Sequence, residues 1–263
     1  MPHEPGAPFL KVSELSLNYD GLPALQRIGF EVGLGERVAV VGPNGAGKST
    51  LFKVIAGVLE PSAGEVAISG HSPGGHICIA YLPQRSQVDW NFPVTVADVV
   101  MMGRTGKLGL MRRPKQEDRD YVLHCLEIVG MGGLAGRRIN ELSGGQQQRM
   151  FIAQALSQEA ELLLMDEPLT GLDVSSEEEV FEILEQLHQR GVTMLISTHD
   201  LGVAMERFES VMLLNHSLIG LGNPAQVFTE QNLRLAYGEH LQKIPTENGA
   251  VLIADTHVHK TEQ

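Results

Sequence analysis

Length, composition and charge exclude several broad classes of protein. The chain has 263 residues, of which 43% are hydrophobic and 20% are charged, so it can bury a sizeable core and is neither disordered nor collagen-like. Its 20 basic and 32 acidic residues give a formal charge of −12. That sign is opposite to the basic surface that nucleic-acid binding demands, and we expect no nucleic-acid partner.

The sequence predicts neither a membrane-spanning segment nor a secretory signal. The longest uninterrupted apolar run covers residues 77–82, far fewer than the roughly 20 residues that a transmembrane helix needs. Residues 1–6 lack the basic and apolar regions of a secretory signal. We therefore expect a cytoplasmic protein, and we interpret the isolated Cys78 and Cys125 as reduced, buried residues.

Short β-branched runs that end in Gly, Pro or polar residues predict strands at 37–41, 65–69, 77–82, 162–165, 192–197 and 211–214. Helical patterns lie between several of them. The clearest one repeats at i, i+3, i+4 and i+7, with Val180, Ile183, Leu184 and Leu187. This alternation predicts an α/β fold with a mostly parallel sheet. The apolar residues before the Tyr19-Asp20-Gly21 turn favour antiparallel strands at the N-terminus.

Strand patterns are missing between residues 88 and 140, where a helix is predicted at 116–129. We expect one large domain over residues 8–231, with a helical subdomain inserted at about 88–155. Beyond it, residues 232–263 are expected to form a partly mobile C-terminal extension.

A phosphate-binding pattern follows the strand that is predicted at 37–41. The segment matches G-x-x-x-x-G-K-[ST] and reads Gly42, Pro43, Asn44, Gly45, Ala46, Gly47, Lys48 and Ser49. A helix predicted at about 48–56 follows it. In such a loop, backbone N–H groups surround phosphate oxygens, Lys48 neutralises charge, and the Ser49 hydroxyl can bind Mg²⁺.

Polar residues also follow three other predicted strands: Gln84, the pair Asp166 and Glu167, and His199. Ligands of such sheets bind beyond the carboxyl ends of the strands, so we expect these side chains near the phosphates. Asp166 could hold the Mg²⁺ shell, and Glu167 could polarise an attacking water.

A second glycine-containing motif comprises residues 142–149, with the sequence LSGGQQQR. Ser143 and Gln146 have the spacing of a capping box, and the two glycines between them expose backbone N–H groups at a helix start. Together with the upstream phosphate loop and the downstream carboxylates, this segment resembles the signature motif of ABC ATPases.

The resemblance covers residues 10–227 and implies a P-loop NTPase (RecA-like) core with an antiparallel β subdomain and a helical insert. It implies ATP and Mg²⁺ as cofactors. The implied ATP-binding residues are Tyr19, which stacks on adenine, and the loop residues Gly42, Pro43, Asn44, Gly45, Ala46, Gly47, Lys48, Ser49 and Thr50. The implied catalytic residues are Lys48, Gln84, Glu167 and His199, and the implied Mg²⁺ ligands are Ser49, Gln84 and Asp166.

The resemblance also implies contacts with an opposite protomer. The signature residues would face the ATP of that protomer, and they are Ser143, Gly144, Gly145 and Gln146. Asp173 would lie in the loop between the two sites. Gln154 departs from the family pattern, in which many members carry Arg.

The chain contains one copy of each motif, so the resemblance implies a second ATP-binding subunit, as a homodimer or a heterodimer. Residues 81–96 and 100–104 resemble ATP-binding subunits of manganese, zinc and iron importers. This implies integral membrane permease subunits, an indirect link to an extracytoplasmic metal-binding protein, and a peripheral location on the inner face of the membrane. Trp90, Phe92 and Val94 would either contact the permease or pack the subdomain hinge.

The sequence leaves the transported cargo and two other functional classes open. Manganese is the first expectation for the cargo, then zinc or iron, but siderophore, haem and cobalamin importers share much of the pattern. A soluble ABC ATPase of DNA repair or translation is disfavoured, because residues 84–143 leave no room for a long coiled coil and only one cassette is present. The signature argues against a small-molecule kinase. His257 and His259 form a weak metal-binding pattern, and we favour a solvated tail.

Overall fold

A computed structural model describes residues 8–72, 79–109, 113–238, 241–246 and 249–254, the last two ranges by their backbone alone. The chain divides into two compact units. The first contains residues 1–33, 37–72 and 195–263, and the second contains residues 34–36 and 73–194.

The strands of the described residues are β1 (Leu10–Tyr19), β2 (Leu22–Val32), β3 (Arg37–Val41), β4 (Ala63–Ile68), β5 (Ile79–Leu82), β6 (Leu162–Met165), β7 (Thr193–Thr198), β8 (Ser210–Asn215), β9 (Ser217–Gly222), β10 (Leu241–Thr246) and β11 (Gly249–Ala254). The α-helices are α1 (Lys48–Ile55), α2 (Val96–Met102), α3 (Thr105–Leu108), α4 (Gln116–Ile128), α5 (Gly144–Gln158), α6 (Val174–Gln189), α7 (Leu201–Arg207), α8 (Pro224–Val227) and α9 (Glu230–Tyr237). Three short 3-10 helices cover Arg85–Gln87, Gly132–Leu134 and Ile139–Glu141.

The first unit contains an antiparallel sheet in the order β2-β1-β4. Leu10 in β1 lies opposite Val32 in β2 and Ile68 in β4. Val12 and Leu15 are three positions apart, so a regular strand would place their side chains on opposite faces. The register of β1 shifts between them, and both side chains are buried. The antiparallel strands expected near the N-terminus are therefore confirmed.

The first unit also contains the strand that leads to the phosphate loop. β3 pairs in parallel with β8, and β9 adds to β8 in the antiparallel direction. Four of the five β3 residues are fully buried, which is typical of a strand covered on both faces. α1 follows within seven residues and buries Leu51, Phe52 and Ile55. The loop between β3 and α1 is thus fixed at both ends by buried elements.

In the second unit, β5 and β6 pair in parallel, with Ile79 opposite Leu162 and Leu82 opposite Met165. The backbone N–H of Asp166 donates to the carbonyl oxygen of Leu82 at 3.0 Å. The two strands therefore end side by side. This register brings the residues that follow β5 and β6 to one edge, as the sequence predicted.

The helices of the second unit pack around α5, which contacts α2, α4 and α6. α4 begins at Gln116, as the apolar periodicity predicted, and it ends at Ile128, one residue before the predicted end. It buries Val122, Cys125 and Leu126 on one face. Cys125 is 1% exposed, so its interpretation as a packing residue is confirmed, and burial raises the pKa of its thiol to about 11. Cys78 lies outside the described residues.

The predicted strands at 65–69 and 192–197 are observed as β4 and β7 with bounds that differ by one or two residues, and further differences from the sequence predictions lie near the C-terminus. β9 was not predicted. Its last five residues are only half-buried, and a strand of this kind has a weaker apolar sequence pattern than a fully buried one. α9 continues the fold past residue 232 and buries Leu233, Ala236 and Tyr237. Strands β10 and β11 then pair in the antiparallel direction. None of the described helices combines the length and the apolar character that crossing a bilayer requires.

Candidate functional site

The phosphate loop of the first unit has the backbone shape that the glycine pattern predicted. Gly45 and Gly47 have φ angles of +82° and +95°, values that L-amino acids with side chains rarely adopt. A β-carbon on Gly42 would overlap the backbone oxygen of Leu214. Glycine is therefore needed at Gly42 for close approach and at Gly47 for a left-handed N-cap of α1.

Lys48 lies inside this loop. Its side chain is 6% exposed, and its Nζ donates to the carbonyl oxygens of Gly42 at 2.7 Å and Pro43 at 3.1 Å. The loop thus holds the ammonium group in place. Ser49 and Thr50 follow in the first turn of α1 and are half-buried, so their hydroxyls lie at a helix N-terminus, where anions are stabilised.

Two other residues of the implied nucleotide site belong to the first unit. Tyr19 ends β1, and 47% of it is exposed. His199 is half-buried and lies between the end of β7 and the start of α7. Asp200 caps α7, because its Oδ1 accepts from the backbone N–H of Val203 at 3.0 Å. This cap fixes the backbone beside His199.

In the second unit, the structure brings Gln84 and Glu167 together. Nε2 of Gln84 donates to Oε2 of Glu167 at 3.2 Å, and Oγ1 of Thr170 donates to the same oxygen at 3.3 Å. Glu167 has a φ of +48°, a strained conformation for a residue with a side chain. Asp166 is 2% exposed, and its charge adds to the effect of burial, which raises the pKa of Tyr81.

The signature segment begins α5 with the predicted capping box. The Ser143 hydroxyl accepts from the Gln146 N–H at 3.4 Å, and Oε1 of Gln146 accepts from the Ser143 N–H at 3.1 Å. A β-carbon on Gly145 would lie 2.6 Å from Oγ of Ser176. Position 145, in the first turn of α5, therefore requires glycine.

Asp173 begins α6 and acts as its N-cap. Its Oδ1 accepts from the Ser176 N–H at 2.9 Å, and its Oδ2 accepts from the Ser176 hydroxyl at 2.9 Å. These hydrogen bonds from Ser176 lower the pKa of the Asp173 carboxyl, so the group is a stable anion at neutral pH. A helix cap is a structural role that the sequence analysis had not assigned to Asp173.

Arg85 was not predicted as a functional residue, whereas Trp90 was predicted as either a permease contact or a hinge-packing residue. Trp90 is half-buried, donates from Nε1 to the Arg85 carbonyl at 3.2 Å, and packs on Phe151. This geometry favours hinge packing over a permease contact for Trp90. Phe92 is 57% exposed, whereas Val94 is half-buried.

The predicted residues are therefore distributed over the two units. Tyr19, residues 42–50 and His199 belong to the first unit, and Gln84, residues 143–146, Asp166, Glu167 and Asp173 belong to the second. Within the described ranges, no group of three or more His, Cys, Asp or Glu side chains could hold a metal ion. His257 and His259 lie outside those ranges.

Residues 25–170 match the family model described as ABC transporter. The chain belongs to the ABC transporter family. It is 45% identical to the chelated iron transport system membrane protein YfeB of Yersinia pestis, over 90% of this chain and 81% of that protein. It is 44% identical to the manganese transport system ATP-binding protein MntA of Synechocystis, over 86% and 92%. The zinc transport system ATP-binding protein TroB of Treponema pallidum is also 44% identical, over 87% and 86%.

Solved structures agree with this assignment. The fold is similar to cbiO1 from Clostridium perfringens, part of the ABC transporter complex cbiONQ, with a TM-score of 0.72, 31% identity, and coverage of 87% of this chain and 95% of that chain. The ATP-binding cassette MJ0796, a dimer bound to ADP and Pi, gives a TM-score of 0.71 at 27% identity, over 82% and 98%. The predicted P-loop NTPase fold and ABC family are both confirmed.

Proposed function

We propose that this ABC protein binds and hydrolyses ATP to power the import of a transition-metal ion through a separate membrane permease. The observation that carries the proposal is an identity of 41–45% to transport subunits named for manganese, zinc and chelated iron, over most of the chain. Manganese is the first candidate, because several of these relatives are named for it. Zinc and iron follow.

The first unit supplies the groups that bind the nucleotide. The backbone N–H groups of residues 44–50 and the ammonium of Lys48 bind phosphate oxygens, since the loop already orients that ammonium inward. Tyr19 stacks on the adenine, which its exposure allows. His199 donates to the terminal phosphate.

Hydroxyl, amide and carboxylate oxygens are the ligands that Mg²⁺ prefers, and Ser49, Gln84 and Asp166 offer one of each. The fit is supported by Asp166, a carboxylate that is 2% exposed at the end of a buried strand. When bound, Mg²⁺ neutralises charge on the phosphates. Asp166 and Ser49 would hold the Mg²⁺ ion, and Gln84 would be the third protein ligand.

Glu167 is the proposed general base for the attacking water. Its carboxylate is oriented by Gln84 and Thr170, which both donate to Oε2, and a carboxylate held in this way can accept a proton from water. Lys48 and His199 stabilise the charge on the transferred phosphoryl group. The products are ADP and phosphate.

The active form is proposed to be a dimer, a homodimer or a pair with a second ATP-binding subunit. The capped turn of residues 143–146 presents backbone N–H groups to the ATP of the opposite protomer. Asp173 lies in the loop between the two nucleotide sites. In the proposed domain plan, residues 8–231 form the ATPase with a helical insert at about 88–155, and residues 232–263 form an extension.

The protein would act at the inner face of the membrane, bound to permease subunits and indirectly served by an extracytoplasmic metal-binding protein. Exposed Phe92 is a candidate contact for the permease, because 57% of an apolar ring is left in solvent.

The test is cellular metal content. A strain that lacks the gene receives either the parent gene or the Glu167→Gln allele, and manganese, zinc and iron are measured by elemental mass spectrometry under metal limitation. The proposal predicts a selective fall in one metal that only the parent gene restores. Unchanged metal contents contradict metal-ion import. If chelated iron or cobalamin uptake falls instead, the cargo is a chelate, as the name of the Yersinia pestis relative suggests.

A further inference from the structure

Two contacts link Arg85 and Trp90 within the segment after Gln84, and a third joins Trp90 to the signature helix α5 of the same unit. Nε1 of Trp90 donates to the carbonyl oxygen of Arg85 at 3.2 Å. The Trp90 ring meets the ring of Phe151 edge-to-face, with centroids 5.6 Å apart and planes at 61°. The guanidinium of Arg85 lies 6.0 Å from the Trp90 ring centroid. We name Arg85, Trp90 and Phe151 the aromatic junction.

Arg85 also lies against the first residue of α5. A β-carbon on Gly144 would lie 2.6 Å from Nη1 of Arg85 and 3.2 Å from Cδ2 of Leu172. The guanidinium therefore occupies the space next to the Gly144 backbone, and the glycine leaves room for it. Arg85 and Trp90 thus contact α5 in its first turn and again at Phe151, two turns later.

The other end of the same segment touches the catalytic carboxylate, because Gln84 donates to Glu167. A short 3-10 helix, Arg85–Gln87, stiffens the chain immediately after Gln84. One continuous segment of seven residues therefore carries the Glu167 contact at its beginning and the α5 contacts along its length.

We propose that Arg85 and Trp90 are positioning residues that fix the Gln84 segment to the signature helix, so that the orientation of Glu167 and the placement of Ser143–Gln146 are set together. The inference rests on the proposed ATPase function. It assigns a role to two side chains that themselves need not contact the nucleotide. Loss of the junction lowers turnover and ATP-dependent dimer formation, and it leaves the phosphate loop intact.

The test compares ring-removing and ring-retaining variants of the full-length protein. Trp90→Ala is expected to lower kcat about tenfold and to weaken ATP-dependent dimerisation about tenfold, the size of one lost aromatic contact. The KM for ATP should stay within twofold. Trp90→Phe keeps a ring against Phe151 and should retain at least half of the activity, and Arg85→Lys should retain more than Arg85→Ala. If Trp90→Ala does not fold, Phe151→Leu removes the same ring pair from the other side.

Tyr121→Leu is the matched control. It removes a half-buried ring that stacks with Arg104 at 4.8 Å in the same unit, outside the aromatic junction. At an equal loss of thermal stability, this variant should keep its kcat and its dimerisation. The inference would be overturned if Tyr121→Leu lost as much kcat and dimerisation as Trp90→Ala does. It would also be overturned if Trp90→Ala kept the kcat and dimerisation of the parent. A parent protein without ATP hydrolysis would instead overturn the proposed function and this inference with it.

Discussion

Nε2 of Gln84 donates a hydrogen bond to Oε2 of Glu167 at 3.2 Å. The contact exists because β5 and β6 run in parallel and end side by side, with the Asp166 N–H bonded to the Leu82 carbonyl. It places an amide that can bind Mg²⁺ beside a carboxylate that can activate water. The pairing follows from strand register, and its effect on catalysis can be measured.

Gln84→Ala should lower kcat by roughly tenfold or more, because the Glu167 carboxylate loses an orienting donor and Mg²⁺ loses an oxygen ligand. The affinity for ATP should change much less. Steady-state hydrolysis at saturating ATP measures the effect. Gln87→Ala is the matched control, since Gln87 is exposed in the same segment. Equal rates for the two variants would remove Gln84 from the mechanism.

Lys48→Ala should weaken ATP binding by roughly 10- to 100-fold, since a hydrogen bond to a charged group contributes about 1.5–3 kcal/mol. Calorimetric titration of ATP into the purified protein measures the affinity. Lys53→Ala, which removes a lysine from the same helix, should bind as the parent does. An unchanged affinity for Lys48→Ala would contradict the phosphate-loop assignment.

Ser143→Ala and Thr229→Ala separate a capping effect from a functional one. Each removes an N-cap hydroxyl, from α5 and α9 respectively, and should cost about 1 kcal/mol of folding stability. Only Ser143→Ala should also lower ATP hydrolysis, because only that cap orders the signature turn. Urea unfolding and ATPase assays on both variants test this. A similar ATPase loss in Thr229→Ala would mean that stability alone accounts for it.

Glu159 should make stability depend on pH. Hydrogen bonds from Lys107 and Arg104 hold the pKa of its carboxyl below the ordinary value of 4.5. A lowered pKa in the folded state favours folding above 4.5, and this contribution is lost as the pH falls through the folded-state value. The parent should therefore exceed Glu159→Gln in free energy of unfolding at pH 7, and the gap should narrow below pH 4.5. A gap independent of pH would contradict the ion-pair assignment.

Much of the fold and the candidate site follows from local sequence rules. The Ser143–Gln146 capping box was predicted from spacing alone, because both partners lie within one helical turn. The ends of β3, β6 and β8 were predicted within one residue or better, since each is a buried apolar run.

The rest depends on tertiary contacts that spacing does not encode. Phe151 meets Trp90 across 61 positions of the chain only because α5 packs beside the Gln84 segment. The positive φ of Glu167 is imposed by the turn after β6 rather than by its residue type. β10 was missed because Pro245 and polar residues interrupt its apolar pattern.

The roles of Glu167 as general base and of ATP in dimerisation are tested together by measuring ATP hydrolysis and oligomeric state in the Glu167→Gln protein. We expect hydrolysis to fall by about 10²- to 10⁴-fold, the usual contribution of a general base. ATP and Mg²⁺ should convert the variant into a dimer that persists in size-exclusion chromatography with light scattering. The binding groups remain, so the dimer forms and does not turn over. Hydrolysis of ATP at the parent rate by Glu167→Gln would show that Glu167 is not the general base, and a variant that stays monomeric with ATP bound would rule out ATP-driven dimerisation.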